Sequence, residues 1–466
     1  MVDHKLWSLD DEPAQVIDLR EEGALDYLLD YYAPTNPAVM ITVLGQAYRA
    51  GAQTAVVEFR YIDADYRDEH SAFYSTTFRR YPSVAHRIHF FREPATDQLD
   101  DETPLKFATL GYLGYMVARP VPGAPVGRVM MVPPDQHVAA VTCLSEETVN
   151  LFGEELTVRA TPFMAQDAQL LRCAHAALWV VARQHHHRWG TPKMLPRAIA
   201  DAVPMEAAAG RTLPSPGLTV TQMSAAASRL GLPPLVYDMR VLPRGESLQS
   251  IACRYLNGGL PVIVAGQGHA WVLVGYKRSH EEDDSRIVFL RQDDEVGPYQ
   301  EVPNFNFDTY SPWEFLIVPL PAKLYVPGEE AEAVAERWLA AAFARDGMIL
   351  DERYALRTTA MLSNDFKAGL EERNFPVNQA AILRRASMSR WIWVVEAVDR
   401  DLRQQELPAV VGEVIVDATD HARDRRPLAS RTPHSVTVFT PDTRRQRTAP
   451  SVTPTEPLPF AREGLG

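Results

Sequence analysis

The apolar positions in the first third of the chain follow both a helical and a strand period. Spacings of three and four residues predict helices at LDYLLDYYA and NPAVMITVLGQAYRAG. Alternating positions predict a strand at TAVVEFRYIDA, and further strands are expected at GYLGYMVARPV, GRVMMVPP, HVAAVTCLSEETVNLFG and EELTVRATPF. Residues 1–158 are therefore predicted to form a mixed α and β domain that serves as a scaffold or in recognition.

The pattern in the middle of the chain changes from helical to strand-like. Amphipathic spacing predicts a helix from QDAQLLRCAHAALW to Gly190, and two more helices at TVTQMSAAASRLGL and GESLQSIACRYLNGG. The stretch LPVIVAGQGHAWVLVGYKR then predicts two apolar strands joined around GQG, and RIVFLRQDDEVGPY predicts another strand. This order of helices, hairpin and strand defines a predicted central domain over residues 159–322.

The last third of the chain begins with a strongly periodic helix. Its pattern is GEEAEAVAERWLAAAFARDG, and predicted strands follow at YALRTTAML, RWIWVVEAVD, VGEVIVDATD and HSVTVFTP. Residues 323–441 are therefore predicted to be a C-terminal α+β domain. Residues 442–466 are rich in Pro, Thr and charge, which predicts a flexible tail. The fold class expected for the whole chain is α+β.

Composition and charge restrict the class of protein. With 46% apolar and 23% charged residues, the composition is that of a soluble globular protein. The net charge of −13 argues against nucleic acid or an anionic membrane as the main partner, because both require a dense basic surface. The acidic N-terminus lacks the apolar segment of a signal peptide, and no apolar run is long enough to span a membrane. We therefore expect a cytoplasmic protein.

The cysteines and histidines are candidates for metal ligands or for packing residues. Three scattered cysteines predict neither a disulfide framework nor a zinc site of CxxC type. Cys143 on a strand and Cys253 in a helix have no histidine nearby in sequence and are predicted to be packing residues. The histidines at 185–187, with His175 nearby, could suggest a metal site, but neighbouring side chains on a helix point about 100° apart and cannot converge on one ion. The run 185–187 is therefore predicted to be a solvated helix end.

The central domain holds the residue types that nucleophilic catalysis by cysteine requires. Such catalysis needs a base that generates the thiolate, a group that orients the base, and hydrogen-bond donors for the oxyanion. A helix N-terminus near the cysteine adds favourable electrostatics. In chain order, the candidates are Gln166 or Gln169, then Cys173, then His269, and then Asp293 or Asp294.

His269 opens a strand that is apolar on both faces, where an imidazole is an unusual choice for packing alone. Glycines on its N-terminal side allow another chain segment or a substrate backbone to approach. The carboxylates of Asp293 and Asp294 end the neighbouring strand, and one of them could accept the second imidazole N–H and fix the tautomer. Because successive side chains of a strand alternate between its faces, only one of the two can serve.

Together these features resemble a known superfamily. A cysteine at a helix start, with a run of small residues and a tryptophan six positions later, is followed by GLPVIV, then GHAWVLVGY, and then a strand that ends in Asp. This order is similar to that of the papain-like cysteine peptidases. The nearest branch is that of the bacteriocin-processing peptidases, which are also called double-glycine leader peptidases. The resemblance covers roughly residues 160–320.

The resemblance implies a fold in which the cysteine-bearing helix packs on an antiparallel sheet that carries the His and the Asp. It also implies a role for each matching position. Cys173 would be the nucleophile, His269 the general base, and Asp293 or Asp294 the orienting acid. In the relatives a glycine follows the acid by a few residues, and the spacing to Gly297 favours Asp293.

The resemblance also assigns the oxyanion donor to a glutamine before the cysteine. In papain-like enzymes this glutamine usually stands six residues before the cysteine, whereas Gln166 stands seven before and Gln169 four before Cys173. We take Gln166 as the candidate and Asp167 as the helix cap. The pattern QLLRCAHAALW also permits a helix that begins well before Cys173, which would weaken the effect of the helix dipole on the thiol.

The leading functional interpretation is a cysteine hydrolase, a peptidase or isopeptidase, that acts on a protein or peptide through a thioester acyl-enzyme. The same triad would support deamidation, transglutamination or acyl transfer, depending on whether water or an amine resolves the acyl-enzyme. A catalytically silent papain-like scaffold that binds a protein partner through its outer domains is the alternative from another class. No cofactor or metal is expected for any of these functions.

Overall fold

The structure, a computed structural model, divides the chain between Ala322 and Lys323 into two compact units. This division falls at the predicted boundary after residue 322, and the first unit contains both of the predicted domains 1–158 and 159–322. The residues that the structure describes are 13–32, 34–95, 106–203, 217–242, 245–266, 268–278, 287–302, 314–373, 375–405, 407–420, 426–439 and the backbone of 446–450.

Helices and strands alternate irregularly along the described part of the first unit. Its helices are α1 (Ala24–Tyr32), α2 (Ala38–Arg49), α3 (Ala64–Ala72), α4 (Cys173–Trp189), α5 (Pro196–Asp201), α6 (Val220–Arg229) and α7 (Leu248–Asn257). Its strands are β1 (Ala14–Asp18), β2 (Thr54–Tyr61), β3 (Ala85–Phe91), β4 (Tyr112–Ala118), β5 (Val126–Met131), β6 (Ser145–Leu151), β7 (Glu154–Ala160), β8 (Phe163–Met164), β9 (Pro234–Asp238), β10 (Val262–Gly266), β11 (His269–Arg278), β12 (Ile287–Asp293), β13 (Gly297–Val302) and β14 (Phe315–Pro319). Short 3₁₀ helices cover Tyr74–Thr76, Phe107–Thr109 and Asp135–His137.

The first sheet of this unit has the strand order β1-β2-β3-β4-β5-β8, and its neighbouring strands are antiparallel. One face buries an apolar core with α1 and α2, to which Met40 and Phe90 belong. The other face packs against α3 and the β6–β7 hairpin around Tyr66, Tyr115 and Leu156. Both faces of the sheet are therefore covered, which explains why β3, β4 and β5 are buried along nearly their whole length.

One predicted strand is only partly formed. The pattern HVAAVTCLSEETVNLFG predicts a continuous strand, but the structure has a 3₁₀ helix at Asp135–His137 and begins β6 only at Ser145. Between them, the backbone N–H groups of Thr142 and Cys143 both donate to the carbonyl of Val274 on β11. This segment is apolar because it is buried against the second sheet, so its pattern does not distinguish a strand from a buried connection.

The second sheet of the first unit carries the predicted hairpin and the helix that begins at Cys173. Its strand order is β13-β12-β11-β10-β14-β9, again antiparallel throughout. Helix α4 packs against β11 and also contacts β6 and β8, while α7 packs against β10 and β11. The predicted α+β class, with antiparallel sheets, is confirmed.

The start of α6 agrees with its sequence signal. The pattern allowed either Thr219 or Thr221 to begin this helix, and the structure places the cap at Thr219. The Thr219 hydroxyl accepts the N–H of Gln222, whose side chain in turn accepts the N–H of Thr219. This reciprocal capping box satisfies two N–H groups that a helix start would otherwise leave without partners.

The second unit is a single antiparallel sheet with helices packed on it. The helices are α8 (Gly328–Arg345), α9 (Ser363–Ala368), α10 (Val377–Arg385) and α11 (Arg400–Gln404), with a 3₁₀ helix at Gly369–Glu371. The strands, in the order in which they lie in the sheet, are β15 (Tyr354–Leu362), β16 (Trp391–Asp399), β17 (Val410–Asp417), β18 (Ala429–Arg431), β19 (Ser435–Phe439) and β20 (Gln446–Pro450). Helix α8 packs against β15, β16 and β17, while α9 and α10 share a core with Val394 and Ile415.

The predicted flexible tail, residues 442–466, falls mostly outside the described residues. Its described part, Gln446–Pro450, is strand β20 and pairs with β19, so this part of the tail prediction is wrong. β20 is an edge strand with one neighbour. Among the described residues, no helix has the length and apolar character needed to cross a membrane.

Candidate active site

Cys173 is the first residue of α4. The preceding residue, Arg172, is the N-cap and has an extended backbone, with φ −112° and ψ 172°. Of the two helix starts that the sequence permits, the structure has the one at Cys173 and not the one well before it. Because the first N–H groups of an α-helix have no acceptor within the helix, the start of α4 places backbone donors and the positive end of the helix dipole beside the Cys173 thiol.

A tight turn before the helix explains why α4 starts where it does. The carboxylate of Asp167 accepts the backbone N–H groups of Gln169 and Leu171 at 3.0 and 2.8 Å, and Ala168 adopts a left-handed backbone with φ 58°. The other carboxylate oxygen accepts the hydroxyl of Tyr74 at 2.7 Å. The prediction that Asp167 caps the helix is wrong, because this side chain caps the turn that precedes it.

The middle of α4 is anchored to α3 through buried polar contacts. Asp65 accepts the indole N–H of Trp179 at 2.9 Å and forms an ion pair with Arg183 at 2.7 Å. All three side chains are almost completely buried. A buried charge that is paired and hydrogen-bonded fixes its partners strongly, so these contacts define the position of the helix that carries Cys173.

The bend between β10 and β11 lies beside the start of α4. Gly266 pairs with His269 across this hairpin, and Gly268 has a φ of 81°, which favours glycine. The Cys173 Sγ lies 3.9 Å from the carbonyl oxygen of Gly268. The hairpin bend therefore brings His269, the first residue of β11, next to the thiol.

Asp293 is the carboxylate that hydrogen-bonds to His269. Strands β11 and β12 are antiparallel neighbours, and their register pairs Val272 with Gln292. The first residue of β11 and the last residue of β12 therefore lie at the same end of the two strands. His269 Nε2 is 3.1 Å from Asp293 Oδ1 and 4.0 Å from Asp294 Oδ1. Only the first distance is that of a hydrogen bond. The nitrogen left for the thiol is Nδ1.

Two further groups hold the Asp293 carboxylate. Its Oδ2 pairs with Arg291 Nη1 at 3.0 Å, and its Oδ1 also accepts the backbone N–H of Glu295 at 3.1 Å. Burial raises the pKa of Asp293, but the hydrogen bond with His269 and the charge of Arg291 outweigh it and lower the pKa below its usual value. Asp293 is therefore an anion at neutral pH.

His269 is a strong base in this environment. Burial lowers its pKa, but the hydrogen bonds with Asp293 and with Cys173, together with the nearby carboxylates, raise it to about 10. The ring therefore holds two protons across the neutral range.

Asp294 differs from Asp293 although the two are adjacent. Its side chain is 4% exposed, and its Oδ2 accepts no hydrogen bond from the described residues. It lines a small cavity between α4 and the sheet, together with the apolar side chains of Ala177 and Val272. Burial raises the pKa of Asp294 to about 8, against the opposing effect of His269, so this carboxyl carries its proton at neutral pH.

Gln166 and Gln169 occupy different positions relative to the β12 end. The side-chain amide of Gln166 donates to Glu295 Oε1 at 3.0 Å, which links it to the turn that follows Asp293. The backbone N–H of Gln169 belongs to the turn closed by Asp167. Of the two candidates, Gln166 has the contact that leads to the His269–Asp293 pair. Its use as an oxyanion donor stays a prediction.

The three cysteines differ in their accessibility. Cys143 and Cys253 are buried, whereas Cys173 is partly exposed. Burial raises the pKa of the Cys143 thiol to about 12, which makes it inert near neutral pH. The interpretation of Cys143 and Cys253 as packing residues fits these positions, and Cys173 is the one thiol that a substrate could reach.

One group of side chains in the described residues could hold a metal ion. Ligand atoms of His269, Asp293 and Asp294 all lie within 4.8 Å of one another. The guanidinium of Arg291, 3.0 Å from Asp293, already supplies a positive charge at this carboxylate. A cation at this position would be repelled by Arg291, so the arrangement suits a hydrogen-bonded imidazole better than a metal ion.

The prediction of a solvated helix end at the histidine run is wrong for His185. Its side chain is completely buried, and burial lowers its pKa to about 3. His185 is buried because β6, α5 and the second sheet pack against α4. His186 and His187 are only half-buried, and His187 also has a lowered pKa because of its burial.

Sequence reasoning missed Arg291 and Glu295 as contributors to the site and gave Asp167 a different role from the observed one. Arg291 could have been found, because it precedes Asp293 by two residues and therefore lies on the same face of the strand. Glu295 and Asp167 gave no such signal. Their roles depend on Gln166 and Tyr74, which are 129 and 93 residues distant in sequence.

Comparison of the chain with models of protein families, with curated proteins and with solved structures finds no match. The chemistry of the site therefore has to be argued from the chain's own residues. They bring together an accessible thiol, an imidazole beside it, an anionic carboxylate on the far side of the imidazole, and the N-terminus of a helix. These are the components of nucleophilic catalysis by cysteine.

Proposed function

We propose that this protein is a papain-like cysteine hydrolase that cleaves a peptide or isopeptide bond through a thioester acyl-enzyme. One observation carries the proposal. Cys173 stands at the first residue of a buried helix and meets an imidazole whose other nitrogen is hydrogen-bonded to Asp293. A cysteine that served only for packing would not require this second contact on the far side of His269.

The first step would be attack on the substrate carbonyl. His269 holds the proton of the thiol, and the Cys173 thiolate forms a bond to the carbonyl carbon. The carbonyl π-bond electrons move to the oxygen, which becomes an oxyanion. The N–H groups at the start of α4 and the side chain of Gln166 are the donors proposed to stabilise it. For this role Gln166 has to turn away from Glu295, its present partner.

The second step would release the amine. As the tetrahedral intermediate collapses, the C–N bond breaks and the imidazolium of His269 gives its proton to the leaving nitrogen. The acyl group remains on Cys173 as a thioester. Water then attacks the thioester while His269 accepts one of its protons, and the carboxylic acid product leaves the thiolate and imidazolium restored.

Alkylation by iodoacetamide at pH 6 tests the proposal within one molecule. We expect Cys173 to be modified selectively, while the buried Cys143 and Cys253 serve as internal controls when the modified peptides are identified by mass spectrometry. A free thiol of pKa about 8.5 is only about 0.3% thiolate at pH 6, so His269→Ala should slow the reaction about tenfold or more. Equal inertness of all three cysteines, or an unchanged rate in the His269 variant, would refute the proposal.

A further inference from the structure

We infer that Arg291 is a positioning residue of the same site, which fixes the Asp293 carboxylate so that its Oδ1 faces His269. The inference rests on the proposed function. Arg291 does not approach the thiol in any described contact, so its role is to act through Asp293 and not on the substrate.

The hydrogen bonds of Asp293 assign a task to each of its oxygens. Oδ2 pairs with Arg291 Nη1 at 3.0 Å, while Oδ1 accepts from His269 Nε2 at 3.1 Å and from the Glu295 N–H at 3.1 Å. A partial rotation of the carboxylate plane would weaken the contacts on both sides at once, whereas a half-turn only exchanges two equivalent oxygens. The pair with Arg291 therefore favours the orientation of the plane in which one oxygen meets the imidazole.

Arg291 is itself held in place. It lies on β12, where its backbone is paired with Leu273 of β11, and its guanidinium lies 5.2 Å from the centre of the Trp271 ring. The Trp271 ring is buried, and the Arg291 side chain is 20% exposed. A guanidinium that lies over an aromatic ring and is paired in this way is more restricted than a surface arginine.

The charge of Arg291 also compensates for the burial of Asp293, whose side chain is 2% exposed. A carboxylate buried this deeply is stable as an anion only when it is paired and hydrogen-bonded. Removal of Arg291 should therefore let Asp293 take up a proton at a higher pH, and a protonated Asp293 no longer orients the imidazolium. A loss of Cys173 reactivity at acidic pH is the specific consequence of this role.

The rate of Cys173 alkylation between pH 4 and pH 8 tests the inference on the full chain. We expect Arg291→Gln to react about three- to tenfold more slowly at pH 6 and to lose reactivity at a pH about one unit higher than the unmodified protein. Arg291→Lys keeps the positive charge beside Asp293. We therefore expect the acidic limb of its pH–rate profile, which is the range in which reactivity is lost, to stay in place and its rate to remain within about threefold.

Arg353→Gln is the matched control. Arg353 pairs with Asp399 at 2.7 Å, and its guanidinium lies 5.7 Å from the Tyr354 ring, which reproduces the arginine–aspartate–aromatic arrangement in the second unit. We expect this control to leave the rate and the acidic limb unchanged. An acidic limb that stays in place in Arg291→Gln would overturn the inference. A tenfold slower alkylation of Arg291→Lys at every pH would also overturn it, because that result indicates a purely structural role. This second test remains available even if Arg291→Gln does not fold.

The His269→Ala variant separates this inference from the proposed function. If His269→Ala leaves the alkylation of Cys173 unchanged, the proposed function and the role of Arg291 are both refuted. If His269→Ala slows alkylation while Arg291→Gln matches the unmodified protein, only the role of Arg291 is refuted.

Discussion

Replacement of the two adjacent aspartates should affect the candidate site to very different extents. Asp293 is an anion that hydrogen-bonds to His269, whereas burial keeps Asp294 protonated near neutral pH. Asparagine has nearly the same shape as aspartate but carries no charge. Asp293→Asn therefore removes a charge at neutral pH, while Asp294→Asn exchanges one neutral group for another.

The structure gives the size of the expected loss. A pKa of about 10 for His269 in place of 6.5 means that the imidazolium is favoured by at most about 5 kcal/mol, which screening by solvent at this partly exposed ring reduces, and Asp293 and Cys173 both contribute to it. If Asp293 supplies about half of this energy, replacement of Asp293 slows the reaction of Cys173 by about 10²-fold. Where the tautomer of the imidazole also depends on the acid, the loss approaches about 10⁴-fold.

The neighbours of Asp293 make asparagine a poor substitute. If the amide NH₂ replaces Oδ2, it faces the guanidinium of Arg291, and if it replaces Oδ1, it faces the N–H of Glu295 and the ring of His269. Either orientation sets donors against each other in a buried site, which costs about 1–3 kcal/mol for each unsatisfied group. No orientation of the amide restores the contacts of the carboxylate.

Alkylation of Cys173 by iodoacetamide at pH 6 is the assay, because it needs no knowledge of the substrate. We expect Asp293→Asn to slow it about tenfold or more and Asp294→Asn to change it less than about threefold. The same order should hold for turnover of any substrate found. The opposite order would assign the orienting role to Asp294, and two small effects would indicate that Cys173 and His269 act without a third member.

Three further outcomes are expected. Gln166→Ala should slow peptide turnover about 10²-fold but leave alkylation by iodoacetamide unchanged, because alkylation forms no oxyanion. Equal slowing of turnover and alkylation would exclude Gln166 as the oxyanion donor. Protonated His269 stabilises the fold: the contribution is complete below its unfolded pKa of 6.5 and is lost as the pH rises to about 10. The difference in free energy of unfolding by urea between the unmodified protein and His269→Gln should therefore shrink between these two pH values. A difference that stays constant would contradict the raised pKa. Asp65→Asn should lower the free energy of unfolding by about 3 kcal/mol by leaving Arg183 buried without its ion pair, whereas a loss below about 1 kcal/mol would show that α4 is not anchored there.

The hairpin that carries His269 could be predicted from sequence because its information is local. Two apolar stretches separated by GQG predicted the strands, and β11 begins at His269 as expected. The position of Asp293 at the end of β12 followed from the same apolar pattern. In the second unit, the long strands β15, β16 and β17 were likewise predicted at nearly their observed positions.

The start of α4 could not be predicted in this way. The residues before Cys173 have helical spacing, but Asp167 binds the backbone of its own turn and the hydroxyl of Tyr74, which is far away in sequence. The same limit applies to the segment around Cys143, which is apolar because β11 covers it. In both places a tertiary contact overrides the local pattern.

A nuclear magnetic resonance titration of His269 tests the central claim, which is that Cys173, His269 and Asp293 form one coupled unit. With ¹³C-labelled histidine and the resonance assigned from His269→Gln, we expect the ring of His269 to lose its second proton at about pH 10. The midpoint should fall in Cys173→Ala and in Asp293→Asn, because each variant removes a hydrogen bond that raises the pKa. A midpoint near 6.5 that neither variant changes would contradict the account.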